Sequence, residues 1–338
     1  MADSETINVV VALNISDAIL NRLREVSPRL HVERLYPTVP DKAWTTVDIL
    51  FTSNVFPKPE QAPNLRWVQL YSAGINHVVN EPIISADSLE VTTASGIHAT
   101  PMSEFSLAMM LAFSYKLPKM LEFQGQARWV ADRDSIFSPT PLRGQTLGIV
   151  GYGNIGRELA RAADALGMKV LATKRDVMHP ADDDSYHEAG TGDPDGEIPL
   201  RLYPPQALAS MARECDFLVI TTPLTDATRH MVDATVLKAM KKTAVLINVA
   251  RGAVVDEAAL IDALQAHRIG GAALDVFEQE PLPSDSPLWK LDNVILSAHI
   301  SGSMIDYDDR AAALFAENLE RYLDGQPLLN RVQRERGY

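Results

Sequence analysis

Three polar residues follow successive apolar runs in the second half of the chain: Arg251 after Ala244–Val249, Glu280 after Gly271–Phe277 and His299 after Val294–Ala298. Arginine presents a planar fork of donors that grips a carboxylate at two points and polarises a neighbouring carbonyl. Histidine can pass a proton to an oxygen near neutral pH. A glutamate bonded to that imidazole fixes its tautomer and stabilises its charged form. Together the three suit reduction of a carbonyl beside a carboxylate. Taken singly, Arg251 reads equally as a surface arginine, His299 as a core histidine and Glu280 as a solvated loop residue. Their shared place at strand ends favours the catalytic reading, because ligands of open α/β sheets bind beyond the carboxyl ends of the strands. No metal is invoked.

The same edge carries a second signal. Thr146–Val150 is a short apolar run leading into Gly151-Tyr152-Gly153-Asn154-Ile155-Gly156, and a helical pattern follows. A strand, then G-x-G-x-x-G, then a helix is the fingerprint of a dinucleotide-binding βαβ unit. Gly151 permits the tight turn, Gly153 lets the backbone approach a pyrophosphate, and Gly156 lets the helix pack on the strand. The helix N-terminus offers unpaired N–H groups to phosphate. Tyr152, Gly153, Asn154, Ile155 and Gly156 are therefore expected cofactor contacts, with Ala250 beside Arg251.

The second strand of that unit ends Ala172-Thr173-Lys174-Arg175. NAD sites place an acidic residue about 20 positions past the glycines to bind the ribose hydroxyls. Lys174, 18 positions past Gly156, stands there instead. Thr173, Lys174 and Arg175 would attract a 2′-phosphate, so NADP is the expected cofactor, with NAD possible. Asp176 would reverse this if the register shifts by one, and a plain solvated basic turn is the alternative.

These residues need a frame of parallel strands. A chain of 338 residues suggests two domains. Before the glycine motif, Ile7–Leu13, Val47–Thr52, Leu65–Tyr71 and Leu89–Thr93 read as strands in βαβ units. After it come Lys169–Thr173, Phe217–Thr221, Ala244–Val249, Gly271–Phe277 and Val294–Ala298, which with Leu147–Val150 make six. Residues 101–121 read as one long apolar helix, 122–142 as an irregular arm, 176–199 as a solvated, mobile loop, and 308–322 as an amphipathic helix. The fold class is α/β. A net charge of −13 without a basic cluster disfavours nucleic acid and anionic membranes as partners. The lone Cys215 fits a reducing cytoplasm and reads as buried core. The first residues resemble neither a signal peptide nor a membrane span.

In this order and spacing, GYGNIG, NVARGAVVDE, GAALDVFEQEPLP and SAHISG resemble the D-isomer-specific 2-hydroxyacid dehydrogenase family over nearly the whole chain. The resemblance implies a flavodoxin-like substrate domain built from residues 1–100 and 301–338. A Rossmann-type cofactor domain, residues 101–300, is inserted into it and includes a crossover helix and a dimerisation arm. It also implies a homodimer. By position, Arg251, Glu280 and His299 match the family's substrate arginine, histidine-supporting glutamate and acid/base histidine. Ser72, Ala73 and Gly74, after Tyr71, match its carboxylate-binding loop; Thr222 and Pro223 match a segment along the cofactor. Asp275 matches a carboxylate near the nicotinamide amide, the alternative being a buried strand-end cap. His98, Met102 and Tyr71 are candidate pocket residues, with packing an equal alternative. The implied activity is NAD(P)H-dependent reduction of a 2-keto acid, of glyoxylate/hydroxypyruvate size or bulkier, to a D-2-hydroxy acid. Three alternatives stay open: a dinucleotide-sensing corepressor-like protein, a phosphoglycerate dehydrogenase and a formate dehydrogenase. The absence of basic residues from Leu70–Ala73 and Phe51–Asn54 counts against the second, and Glu280, where formate enzymes carry glutamine, against the third.

Overall fold

The computed structural model describes residues 6–75, 77–86, 88–182 and 185–333. The chain forms two compact units: Met1–Ile97 with Asp184–Glu188 and Met304–Tyr338, and His98–Asp183 with Ala189–Ser303.

The first unit is built on strands β1 (Ile7–Ala12), β2 (Leu30–Arg34), β3 (Ile49–Thr52), β4 (Trp67–Leu70) and β5 (Glu90–Thr92). They pair in parallel in the order β2-β1-β3-β4-β5, the flavodoxin-like arrangement. Parallel strands covered on both faces become continuous apolar runs, and β3 and β4 are buried at every position. The edge strand β2 departs from that pattern. Leu30 and Val32 are buried while His31 and Glu33 face out, so no apolar run marks it in the sequence.

The helix Tyr307–Leu323 returns the chain to this unit. Its buried Phe315 packs against Phe51 and Trp67, with ring centroids 4.5 and 5.3 Å away. Asn318, also buried, donates to Gln69 Oε1 at 3.1 Å and accepts from the Leu329 N–H at 2.8 Å. Thr92 joins the same chain, accepting from Trp67 Nε1 and donating to Gln69 Oε1, both at 2.8 Å. A buried polar network satisfied in this way fixes one register between helix and sheet.

The second unit contains β6 (Thr146–Val150), β7 (Lys169–Thr173), β8 (Arg201–Tyr203), β9 (Phe217–Ile220), β10 (Val245–Asn248), β11 (Gly271–Leu274) and β12 (Val294–Leu296). All pairs are parallel, in the order β12-β11-β10-β9-β6-β7-β8. Taking β6 as first gives the doubly wound order 3-2-1-4-5-6 extended by one strand, with its switch point between β6 and β9. The sheet has seven strands, not six. The additional one, β8, is only three residues long and begins with an exposed arginine.

Two other expectations are corrected. The long helix of residues 101–121 is two helices, Ala99–Ser114 and Leu117–Gly125, separated by Lys116 at φ +54°. Pro118 lacks an N–H and would collide with the carbonyl one turn back in a continuous helix, whereas the first turn of a new helix accommodates it. The segment 176–199, read as solvated throughout, is in part tied down: Pro180, Gly192 and Asp193 are bonded to the helix after β6 and to the glycine turn. The fully buried Arg157 donates to the carbonyl oxygens of Asp193 and Pro180. Tyr152 Oη donates to Asp193 Oδ2 at 2.5 Å, and Gly192 N to Glu158 Oε2 at 2.7 Å. The loop's polar composition conceals these contacts because its backbone carbonyls make many of them. Cys215 is buried, and burial pushes its thiol up to about 12. Among the described residues no helix is long and apolar enough to cross a membrane.

Truncating a fully buried phenylalanine typically costs about 3–5 kcal/mol. Phe315→Ala is therefore expected to lower the thermal midpoint of the unit carrying the C-terminal helix. An unchanged melting curve would show that this helix does not hold the first sheet together.

Candidate active site

Arg251, Glu280 and His299 all belong to the second unit, on the loops after β10, β11 and β12. The last residue of β10, Asn248, is buried and shapes the Arg251 turn. Its Oδ1 accepts from Ala250 N at 3.1 Å and its Nδ2 donates to Arg251 O at 3.0 Å. Gly252 follows, and a Cβ there would lie 1.8 Å from the Phe277 carbonyl carbon. Only glycine lets the turn after β10 lie against the turn after β11. In that second turn Glu280 Oε1 accepts from Phe277 N at 3.0 Å, and Oε2 meets His299 Nδ1 at 2.7 Å.

His299 has φ +54°, a left-handed conformation unfavourable for a side chain with a Cβ. Asp275, just past β11 and wholly buried, holds it there. Its carbonyl accepts from His299 N at 2.9 Å. Its Oδ1 accepts from Ser297 Oγ at 2.6 Å and Ile300 N at 2.8 Å, and its Oδ2 from Ser301 N at 2.8 Å. Nδ1 is taken by the glutamate, and the other ring nitrogen of His299, Nε2, has no hydrogen-bond partner among the described residues.

Burial lowers the pKa of Arg251 and the Glu280 carboxylate opposes that shift. Burial, and then the Arg251 cation, bring His98 down to about 4, so it is neutral at pH 7. Burial would raise the carboxyl of Asp275, but hydrogen bonds from Ser297, Ser301 and Ile300 outweigh it and hold the group below the ordinary carboxylate range.

The glycine turn fits a dinucleotide. Gly151 has φ +104°, and a Cβ on it would meet the Thr222 backbone at 2.9 Å. Gly153 faces open space, with nothing within 4 Å of an added Cβ. Gly156 packs so close that a Cβ would lie 2.4 Å from Gly151 O. The helix Asn154–Ala165 starts here, and its first N–H groups have no helical acceptor. Asn154 Oδ1 is buried without a hydrogen-bond partner among the described residues. Thr222 and Pro223 stand directly after Thr221, whose Oγ1 donates to Gly151 O at 2.7 Å.

Three expected cofactor contacts are differently engaged. Tyr152 has its N–H on Thr173 O at 3.0 Å and its hydroxyl on Asp193, so neither polar hydrogen remains for a ligand. Thr173 is buried, and its Oγ1 accepts from Gly151 N at 3.0 Å, bracing the turn. Lys174 Nζ donates to the carbonyl oxygens of His179, Pro180 and Ala181. Arg175 is exposed, and Asp176 beyond it is turned onto His179 Nδ1 at 2.7 Å and Met178 N at 3.0 Å.

Ser72, Ala73 and Gly74 lie in the first unit, after β4, where Ser72 Oγ donates to Gly74 O at 2.9 Å. Tyr71 is committed elsewhere: its hydroxyl bonds Asp308, its carbonyl accepts from Tyr307 Oη at 3.0 Å, and the two rings are 4.6 Å apart. Sequence reasoning missed Asn248, Ser297 and Ser301. A signal existed for the first, since asparagine ends an otherwise apolar strand. No signal existed for the serines, which act through a partner distant in sequence.

The lowered pKa of Asp275 has a consequence for stability. Its contribution is full above the unfolded value of about 3.9 and is lost as pH falls through the lower folded value. The gap in thermal midpoint between the native protein and Asp275→Asn should be widest at neutral pH and narrow below about pH 4. A pH-independent gap would contradict this.

A family model described as "D-isomer specific 2-hydroxyacid dehydrogenase, NAD binding domain" matches residues 107–301. The chain is 34% identical over 278 residues to the glyoxylate reductase of Korarchaeum cryptofilum, covering 82% of this chain and 78% of that protein. It is 35% identical over 268 residues to the glyoxylate reductase of Thermofilum pendens, covering 79% and 74%. Among solved structures, a D-isomer specific 2-hydroxyacid dehydrogenase from Xanthobacter autotrophicus Py2, in complex with NADPH and MES, superposes with a TM-score of 0.79 at 28% identity, covering 98% of this chain and all of that one (100%). An NADPH-dependent glyoxylate/hydroxypyruvate reductase from Sinorhizobium meliloti, with NADP and sulfate, gives 0.79 at 26% identity, again covering 98% and 100%. The chain belongs to the D-isomer specific 2-hydroxyacid dehydrogenase family, whose members are NAD(P)-dependent oxidoreductases interconverting 2-keto and D-2-hydroxy acids.

Proposed function

We propose that this protein reduces a small, unphosphorylated 2-keto acid, with glyoxylate and hydroxypyruvate as first candidates, and that Arg251, Glu280 and His299 carry the chemistry. The observation that supports it most is the 2.7 Å contact between His299 Nδ1 and Glu280 Oε2, which leaves Nε2 to face a ligand. A bound nicotinamide dinucleotide supplies the hydride. Arg251 holds the substrate carboxylate and polarises the keto oxygen through its donor fork. His299 delivers a proton from Nε2 to that oxygen as negative charge develops on it. Glu280 keeps Nδ1 protonated and offsets the charge of the imidazolium. Asp275 is assigned to positioning His299 and not to the nicotinamide, since its carboxylate is buried among Ser297, Ile300 and Ser301.

The cofactor reading is NADPH in preference to NADH. Arg175 at the end of β7 would face the 2′-phosphate, while Asp176, the carboxylate that would repel it, is paired with His179. The similarity to glyoxylate reductases and to an NADPH-dependent glyoxylate/hydroxypyruvate reductase favours this enzymatic reading over a dinucleotide sensor or a phosphoglycerate dehydrogenase. A homodimer is proposed on the helix Leu117–Gly125 and the arm beyond it, where Leu117, Met120, Leu121 and Trp129 are exposed, the last at 89%. An apolar face of this kind is uncommon on a monomer. A cytoplasmic site fits the single buried cysteine.

His299→Ala should lower kcat by about a hundredfold or more while KM changes less. Arg251→Ala should damage kcat and KM together. Near-normal turnover of His299→Ala across pH would remove this histidine as the acid. Arg175→Ala should raise KM for NADPH by about tenfold or more and leave KM for NADH alone, the loss expected for a charge-assisted contact. Equal effects on both cofactors would remove the 2′-phosphate assignment. Leu121→Asp should convert a dimer to a monomer in sedimentation; a native protein that already sediments as a monomer would end the dimer proposal.

A further inference from the structure

We infer that a second histidine–glutamate pair, His230 and Glu278, is a positioning device that ties together the loops after β9, β10 and β11 and so sets where Arg251 and Glu280 stand. The inference rests on the proposed roles of those two residues.

His230 Nε2 meets Glu278 Oε1 at 2.8 Å. The loop after β9 that carries His230 is zipped to the loop after β10. His230 N donates to Ala253 O at 2.9 Å, Val232 N to Val254 O at 3.2 Å and Asp256 N to Val232 O at 3.1 Å. The loop after β10 is in turn fastened to the one after β11. Glu278 N donates to Glu257 Oε2 at 3.0 Å, and Glu257 N to Glu278 Oε1 at 3.4 Å. Gly252 brings the two backbones into contact, with no room for a Cβ. Arg251 immediately precedes this junction and Glu280 lies two residues beyond it. Glu280 takes one of its two anchors, Phe277 N, from the same turn.

Among the described residues neither member of the pair is hydrogen-bonded to His299, and both are well exposed, at 44% and 38%. Exposed ion pairs add little to stability. Yet His230 adopts φ +51°, a cost for a residue with a Cβ. Its position on three converging loops suits the fixing of a register better than the strengthening of a fold. Misplacement of a reacting group by about 1 Å can cost a hundredfold in rate. The pair is therefore expected to influence turnover far more than unfolding or cofactor binding.

The test compares Glu278→Ala, His230→Ala and Glu278→Gln with the native protein. Glutamine keeps an oxygen acceptor for His230 and is the conservative rescue. Both alanine variants should lose about tenfold or more in kcat, with NADPH affinity and thermal midpoint near native, and Glu278→Gln should recover most of the rate. Nitrogen-15 spectra of labelled histidines give a readout independent of turnover: the Nδ1–H signal of His299 bonded to Glu280 should weaken or shift in the alanine variants. Native kcat and a native His299 signal in Glu278→Ala would overturn the inference. So would a Glu278→Gln variant as impaired as Glu278→Ala, or a loss of kcat that only follows a collapse in stability. Should Glu278→Ala not fold, His230→Ala gives the same reading. If the native protein reduces no 2-keto acid, the functional proposal fails, while the histidine spectra still decide the positioning claim.

Discussion

The carboxylate of Asp275 is buried just beyond β11 and has to be satisfied by hydrogen bonds, because an unpaired charge there would be prohibitively costly. The donors that satisfy it are Ser297 Oγ and the N–H groups of Ile300 and Ser301, which bracket His299. A chain that leaves β12 and immediately returns two N–H groups to one buried carboxylate must turn sharply. His299 occupies the left-handed conformation of that turn. The direction of the imidazole thus follows from an electrostatic requirement in the core. The contact to Glu280 adds the last restraint and leaves Nε2 as the ring nitrogen without a hydrogen-bond partner among the described residues.

Two glycines impose the complementary constraint of close backbone approach. At Gly252 the missing Cβ lets the loops of Arg251 and Glu280 touch; at Gly156 it lets the first helical turn settle on the glycine loop. Parallel strands make both junctions converge, since every strand of the second sheet delivers its following loop to one edge. The catalytic candidates and the dinucleotide turn share that edge because the sheet is parallel throughout. Lys174, Arg157 and Tyr152 then hold Pro180 and Asp193 against the unit, and part of the polar sequence around the glycine motif is spent on packing.

The strands of both sheets were largely legible because burial on two faces forces apolar runs, as in VLIN at β10 and FLVI at β9. The exceptions were β2 and β8, edge strands with one polar face or an exposed arginine, where no such pressure acts. The convergence of Arg251, Glu280 and His299 on one edge of the sheet was legible because strand ends are identifiable. The surroundings of the glycine motif were less so: the side-chain oxygens of Tyr152 and Thr173 are bonded to Asp193 and Gly151, partners that no local pattern indicates. The supporting residues Ser297, Ser301, His230 and Glu278 act across loops far apart in sequence and come to light only when the chain is folded.

The account stands on direct hydride transfer to C2 of a 2-keto acid, with the oxygen protonated from His299. Turnover of glyoxylate or hydroxypyruvate with NADPH deuterated at both C4 positions, followed by mass and chiral analysis of the product, tests it most directly. The account predicts one deuterium bound to C2 and, where C2 becomes a stereocentre, the D enantiomer. Product without deuterium at C2, an L product, or no turnover of any 2-keto acid with either cofactor would contradict it.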